Sequence, residues 1–196
     1  MNKAAFLDRD GVINRNAPIG EYITRWEEVK FLPGVAEAIR RLHEAGFLVV
    51  VVTNQRCVAR GLTTAAEVES LHARMKNALA LEGAKIDAVY YCPHEYEPPC
   101  DCRKPKPGML LRAAREHDID LNASWMIGDS DIDVEAGRNA KCRTVRILRE
   151  HEVVREAHGL VAFTLLEAVL QGPVAPANGS GRGDLFTFSK TEAFRP

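Results

Sequence analysis

Six consecutive apolar residues, Phe47-Leu48-Val49-Val50-Val51-Val52, constrain this chain more than any other stretch. The run ends in four valines, whose branched side chains suit a pleated strand and offer no polar face to water. Such a strand is stable when both faces are covered, as in an inner strand of a parallel sheet flanked by helices. Thr53, Asn54 and Gln55 follow it. They are three hydrogen-bonding side chains at a strand's carboxyl end, where open α/β sheets bind ligands.

Other strand-length runs alternate with helical ones. Ala4 to Leu7 is a short apolar strand, and Val12 to Leu32, without sustained period, reads as a loop over a pocket. Pro33-Gly34 opens a helix with Val35, Ile39 and Leu42 at helical spacing, stopped by Gly46. Thr64-Ala65-Ala66-Glu67 is a capping-box pattern, and Val68, Leu71, Met75 and Leu79 form the buried stripe of the helix it begins. Ile86 to Tyr91 reads as a third strand, and Pro107 starts a helix to about His117. Trp125 to Ile127 is a fourth strand, Ser130 to Ala140 a helix, Thr144 to Leu148 a fifth strand and Thr164 to Leu170 a last helix. This order predicts an α/β fold: a doubly wound, mostly parallel, Rossmann-like sheet with helices on both faces. One domain is expected over residues 1–172, and the Gly, Pro and Ser content beyond it predicts a polar, flexible tail over 173–196.

Net charge is −1 with acids and bases interspersed, so no global field recruits nucleic acid or an anionic membrane. Met1-Asn2-Lys3 leads straight into a strand, and no apolar run is long enough to cross a bilayer. A cytoplasmic protein is expected, in which five cysteines suggest metal ligands or buried thiols before disulfides.

Asp8 ends the first strand, and Gly11 lets the chain turn so that Asp8 and Asp10 can face one pocket. Paired carboxylates suit phosphoryl transfer, one attacking phosphorus and the other handling protons. Thr53 and Asn54 offer donors to phosphate oxygens. Asp129, after the fourth strand, would stand beside Asp8, and Mg²⁺ would neutralise both. Lys104 would bring a fixed positive charge. Each has a plainer reading: an Asp-rich turn, a strand end, a helix cap at Ser130-Asp131-Ile132-Asp133, a solvated lysine. Their joint occurrence, three of the pairs after strands, favours a single crevice.

Asp8-x-Asp10-Gly11, Thr53-Asn54, Lys104 and Gly128-Asp129-x-x-x-Asp133 resemble the four motifs of the haloacid dehalogenase-like phosphatases, over roughly residues 3 to 170. The resemblance implies Asp8 as nucleophile and Asp10 as general acid, then base. It further implies Mg²⁺ held by the Asp8 carboxylate, the Asp10 carbonyl and Asp129. Thr53 and Lys104 would hold the phosphoryl group, with Asp133 behind them.

Cys92-Pro93-His94 and Cys100-Asp101-Cys102 present three thiols and an imidazole within eleven residues. Such a set can close a tetrahedral structural Zn²⁺ site, and a disulfide is the competing arrangement. Cys57 and Cys142 read as buried thiols, whereas His43, His72, His117, His151 and His158 are expected to be solvated. The cysteine loop, its continuation to Met109, Phe6 to Gly11, Thr53 to Gln55 and Ala59-Arg60-Gly61 resemble the D-glycero-D-manno-heptose 1,7-bisphosphate 7-phosphatases. The related histidinol-phosphate phosphatases share the zinc loop, and the short His94 to Cys100 interval suits them too. Arg56-Cys57 stands where the heptose enzymes carry Ser-Gly, and Ser130 where some have lysine. The resemblance implies a capless monomer acting on a small phosphorylated sugar, with Asn54, Gln55, Arg60, Arg103 and Ser130 as substrate contacts. Arg103, beside Lys104, is suited to a second anionic group.

Overall fold

A computed structural model describes residues 1–149, 152–153 and 159–175. Its strands are β1 (Lys3–Leu7), β2 (Phe47–Asn54), β3 (Ala88–Cys92), β4 (Trp125–Gly128), β5 (Arg143–Ile147) and β6 (Leu160–Ala162). They form one sheet in the order β3-β2-β1-β4-β5-β6, parallel at every pairing. The helices are α1 (Val35–Glu44), α2 (Ala65–Leu81), α3 (Gly108–His117), α4 (Asp131–Asn139) and α5 (Leu165–Gln171).

Strand alternation divides the core in two. Ala5, Leu7, Val49, Val51, Ile127 and Val145 point to one face, where α1, α2 and α5 cover them with Ile39, Leu42, Met75, Leu79 and Leu165. Ala4, Phe6, Val50, Val52 and Met126 point to the other face, beneath Met109, Leu110 and Ala113 of α3 and Ala136 of α4. Val49 to Val52 are fully buried, two on each face. Full burial of each valine is worth about 1.5–3 kcal/mol, which holds β2 at the inside of the sheet. At α2 the Thr64 hydroxyl accepts from Glu67 N at 3.2 Å while the Glu67 carboxylate accepts from Thr64 N at 2.7 Å.

Several details differ from the sequence reading. β3 begins and ends later, so that Cys92 is its last residue. β6 was not foreseen: three residues after Gly159 are too few to show a period. The loop after β1 has a buried root, Val12 and Ile13, and one 3₁₀ turn at Trp26–Glu28. Within the expected tail, Val174 packs on the first core and its N–H donates to Val169 O at 2.9 Å. The remainder, 176–196, lies outside the described residues, as do His151 and His158. Among the described residues no helix is long and apolar enough to cross a membrane.

Gly137 is buried where α4 meets the sheet, and a Cβ there would lie 2.6 Å from Met126 Cβ and 2.7 Å from Thr144 Cγ2. Gly-to-Ala inside a helix ordinarily gains about 1 kcal/mol. Here the overlap reverses the sign, and Gly137→Ala is expected to cost about 1–3 kcal/mol. Urea denaturation checks this, and a raised midpoint would overturn the packing argument.

Candidate active site

The chain departs to opposite sides of the sheet from β1 and β4, which leaves a crevice between their carboxyl ends. Asp8 stands at that point, its N–H donating to Ile127 O at 3.0 Å. Gly11 turns the chain with φ +81°, and a Cβ there would overlap the Asp129 carboxylate. Only glycine meets both demands.

Lys104 enters from the loop before α3 and is buried, with Nζ 3.0 Å from Asp8 Oδ1 and 2.6 Å from Asp133 Oδ1. The ammonium also donates to Val52 O at 2.8 Å. Burial opposes its charge, but the Asp133 and Asp8 carboxylates outweigh that and raise its pKa above the ordinary lysine value. Asn54 clamps the Lys104 backbone from both sides, accepting from its N–H and donating to its carbonyl, each at 3.1 Å. Asp133 does two jobs. Oδ1 meets the lysine, while Oδ2 accepts from Ser130 N at 3.0 Å and Ser130 Oγ at 2.5 Å, closing the start of α4.

Asp129, buried at the end of β4, accepts on Oδ2 from Asn16 Nδ2 at 2.8 Å and Arg149 Nη2 at 2.5 Å. Oxygens of Asp8, Asp129 and Asp133 lie within 4.8 Å of one another. Burial raises the Asp8 pKa, Lys104 lowers it, and the nearby Asp133, Asp129 and Asp10 charges raise it again, to about 7. The cluster is short of positive charge, and its donors are all oxygen, which fits a hard divalent cation.

Arg9, fully buried, grips Asp10 with two bonds, Nε to Oδ1 at 3.0 Å and Nη2 to Oδ2 at 2.9 Å. Asn14 and Gln55 also donate to Asp10, at 2.8 and 3.1 Å. Burial alone would raise the Asp10 pKa, but Arg9 and these bonds hold it below the usual carboxylate range. Behind Arg9, His72 Nε2 lies 3.2 Å from Nη1. Burial and the Arg9 charge lower the His72 pKa to about 3, so the ring is neutral and Nε2 accepts from the guanidinium.

At the end of β3, Cys92 Sγ is 3.6 Å from Cys100 Sγ and 3.7 Å from His94 Nδ1. Cys102 Sγ is 3.4 Å from Cys100 Sγ and 3.2 Å from His94 Nδ1. The thiols are free, and no pair of them is joined in a disulfide. These separations approach the edges of a Zn²⁺ tetrahedron, about 3.6–3.8 Å for S and N ligands. Burial raises the Cys102 thiol, and the crowded Cys92 and Cys100 sulfurs raise it further, a repulsion that a bound cation would relieve.

The HAD-hydrolase-like family model matches residues 101–160. The D-glycero-β-D-manno-heptose-1,7-bisphosphate 7-phosphatase of Pasteurella multocida is 39% identical over 179 residues, covering 88% of this chain and 96% of its own. The chain belongs to the heptose-bisphosphate phosphatase branch of the haloacid dehalogenase-like hydrolases. The enzyme of the same name from Pseudomonas aeruginosa is 43% identical over 141 residues, 72% of this chain and 78% of its own. The crystal structure of a heptose 1,7-bisphosphate phosphatase from B. bronchiseptica, complexed with magnesium and phosphate, superimposes with TM-score 0.77. It is 35% identical, covering 86% of this chain and 97% of its own.

In this heptose-bisphosphate phosphatase relative, the strand-end residues Asp8, Asp10, Thr53, Asp129 and Asp133 do gather with Lys104. Of the other expected substrate contacts, Gln55, Asn54, Ser130 and Arg60 make bonds within the protein. Gln55 is buried, donating to Thr53 Oγ1 at 2.9 Å and to Asp10, and accepting from Arg9 at 3.1 Å. Asn54 braces Lys104, and Ser130 caps α4. Arg60 and Arg103 lie on the outer loops, Arg60 pairing with Glu95 at 3.2 Å. His72 is not solvated: it lies four residues after Val68, on the buried stripe, a signal that helical spacing carried. Arg9 and Arg149 were missed, and Asn16 was expected only as part of a pocket wall over Asn14 to Tyr22. Arg9 is the spacer of the acidic motif, whereas Asn16 and Arg149 fall in loops without period.

The Asp8 carboxyl, with a folded pKa of about 7 against an ordinary 3.8, keeps a proton that the unfolded chain has released between those values. Without metal it therefore lowers stability as pH rises, by up to about 1.4 kcal/mol per pH unit. His72 has the opposite sign, since its depressed pKa favours folding as pH rises toward the ordinary histidine value. A substitution separates the two. In metal-free buffer, Asp8→Asn is expected to gain stability over wild type as pH goes from 4.5 to 7.5. Urea midpoints that keep a constant difference would reject the Asp8 assignment.

Proposed function

We propose that this protein removes the 7-phosphate of D-glycero-β-D-manno-heptose 1,7-bisphosphate, with Asp8 as the nucleophile. The observation that carries it is Asp8 at the sheet's switch point, 3.0 Å from the buried ammonium of Lys104, in a chain whose relatives bear that name. Asp8 attacks phosphorus, the bond from phosphorus to the sugar oxygen breaks, and Asp10 gives that oxygen a proton. Water then attacks the aspartyl-phosphate, Asp10 takes a proton from it, and the bond to Asp8 breaks to release phosphate. Lys104 and Thr53 meet the phosphoryl oxygens as charge builds on them. Asp10 is held toward the crevice by Arg9, Asn14 and Gln55. A dianionic phosphate beside it favours the protonated form needed in the first step.

Asp8, the Asp10 carbonyl and Asp129 would hold Mg²⁺, which when bound offsets the charge of carboxylates and phosphate together. Cys92, His94, Cys100 and Cys102 would hold a structural Zn²⁺. The loop after β1 has one 3₁₀ turn as its only helix, and the loop after β3 is given to the cysteine cluster. These features support a capless enzyme whose crevice is open to a small sugar, and residues 1–172 hold every group named.

The test is phosphate release with Mg²⁺ from both heptose bisphosphate anomers and from histidinol phosphate, because the short His94 to Cys100 interval also suits the latter. Fastest turnover of the β anomer is expected, and Asp8→Asn should reduce it by about 10³-fold or more. Preference for histidinol phosphate would reject the sugar substrate, and an active Asp8→Asn would reject the nucleophile. Cys100→Ser is expected to lose zinc by metal analysis and to melt roughly 5 °C or more below wild type. Wild-type protein purified without zinc would overturn that site.

A further inference from the structure

Gln55 directly follows β2 and is fully buried, so its amide has no water to turn toward. Its neighbours decide which way it faces. Arg9 can only donate, and its Nη2 lies 3.1 Å from Gln55 Oε1. An ionised Asp10 can only accept, and its Oδ2 lies 3.1 Å from Gln55 Nε2. Both demands place the amide carbonyl on the arginine and the amino group on the other side. That amino group has a second proton, which goes to Thr53 Oγ1 at 2.9 Å.

A hydroxyl can donate or accept, so Thr53 takes its polarity from this neighbour. Accepting from Gln55 leaves it its own proton to give elsewhere. Thr53 stands at the carboxyl end of β2, the end that borders the crevice, where a phosphoryl oxygen can receive that proton. The amide is also locked from behind. Arg9 donates to His72 Nε2 at 3.2 Å and to Ile23 O at 3.3 Å, so it cannot turn from Gln55 without losing buried acceptors. Reversing the amide would set its amino group against a cation and its carbonyl against a carboxylate. Polarity therefore runs one way, from Arg9 to Gln55 and from Gln55 to both Thr53 and Asp10.

We propose that Gln55 is a positioning residue for both steps of the reaction. Arg9 fixes its direction, and its amino group turns the Thr53 proton toward the phosphoryl oxygen while holding Asp10. This rests on the phosphoryl-transfer reading above and deepens it, because Gln55 acts through Thr53 and Asp10 rather than on the substrate. One amide serves both groups, so the grip on phosphate and the handling of protons are coupled.

The test measures kcat and KM on p-nitrophenyl phosphate with Mg²⁺, which leaves the sugar aside. The proteins are wild type, Gln55→Met, Gln55→Glu, Thr53→Val and the double variant Gln55→Met with Thr53→Val. Gln55→Met is expected to lower kcat about tenfold at near-constant KM, because the Thr53 bond strengthens as charge builds on the phosphoryl oxygen. In the Thr53→Val background the same change should cost about twofold or less, since no hydroxyl remains to be turned. Gln55→Glu keeps the shape and an acceptor for Arg9, but offers Thr53 an acceptor in place of a donor. The hydroxyl then turns back, and the loss should exceed that of Gln55→Met. Packing damage alone would make the near-isosteric glutamate the milder change and would give losses that multiply in the double variant; either result would overturn the positioning role. Should Gln55→Met not fold, Gln55→Glu with and without Thr53→Val decides the question. Its loss must shrink where the hydroxyl is absent, and an equal loss in both backgrounds would overturn the role. An Asp8→Asn variant as active as wild type would instead overturn the catalytic reading beneath it.

Discussion

The Lys104 ammonium lies out of water between Asp8 and Asp133, with the Val52 carbonyl as its third partner. These partners come from the end of β1, the first turn of α4 and the last part of β2, so one charge ties three elements together. Each ion loses hydration on burial, and the group is tolerable only because every charge has an opposite beside it. Removing the lysine would leave two buried carboxylates uncompensated, which costs about 3–5 kcal/mol. The same arrangement prepares the crevice for chemistry. A positive charge already fixed and dehydrated needs no reorganisation when negative charge develops on phosphoryl oxygens.

Positive charge is shared unequally among the other carboxylates. Asp10 has Arg9 on two bonds, and Asp129 has Arg149 and Asn16. Burial raises the Asp8 pKa, and a share of Lys104 does not offset it against three like charges, whereas Arg9 and its hydrogen bonds hold that of Asp10 down. The least compensated carboxyl is therefore the one at the centre of the crevice, where an added cation gains most. Asp10 is instead backed by a buried layer in which Arg9 and Gln55 donate to it and His72 and Gln55 accept from Arg9.

What was legible in the sequence depended on period and on strand ends. Val49 to Val52, the stripe of α2 and the cap at Thr64 are local patterns, and they produced the sheet, the helix faces and the crevice. Asp8, Thr53 and Asp129 were legible because each follows an apolar run directly. Lys104 follows no strand; resemblance rather than period pointed to it, and its partners 50 and more residues away were invisible. Arg9 was hidden for a different reason. Between two acids after a strand it looks solvated, and only the tertiary fold supplies the buried acceptors Asp10, Gln55 and His72 that make a buried guanidinium affordable.

Residues 56 and 57 show how far this distinction reaches. Successive side chains on the turn after β2 point opposite ways, so this pair serves two environments. Cys57 faces inward, buried, with Sγ 3.6 Å from Gln55 Oε1 in the layer behind Asp10. Arg56 faces outward to Glu95, Tyr22 and Tyr96. The inward residue can change among small groups with only a packing adjustment. The outward one adds a guanidinium to the rim, and that charge needs the loop after β3 to supply an acid and an aromatic ring at matching positions. A guanidinium at position 56 thus ties the loop after β2 to the loop after β3, and a change on either one costs the other a partner.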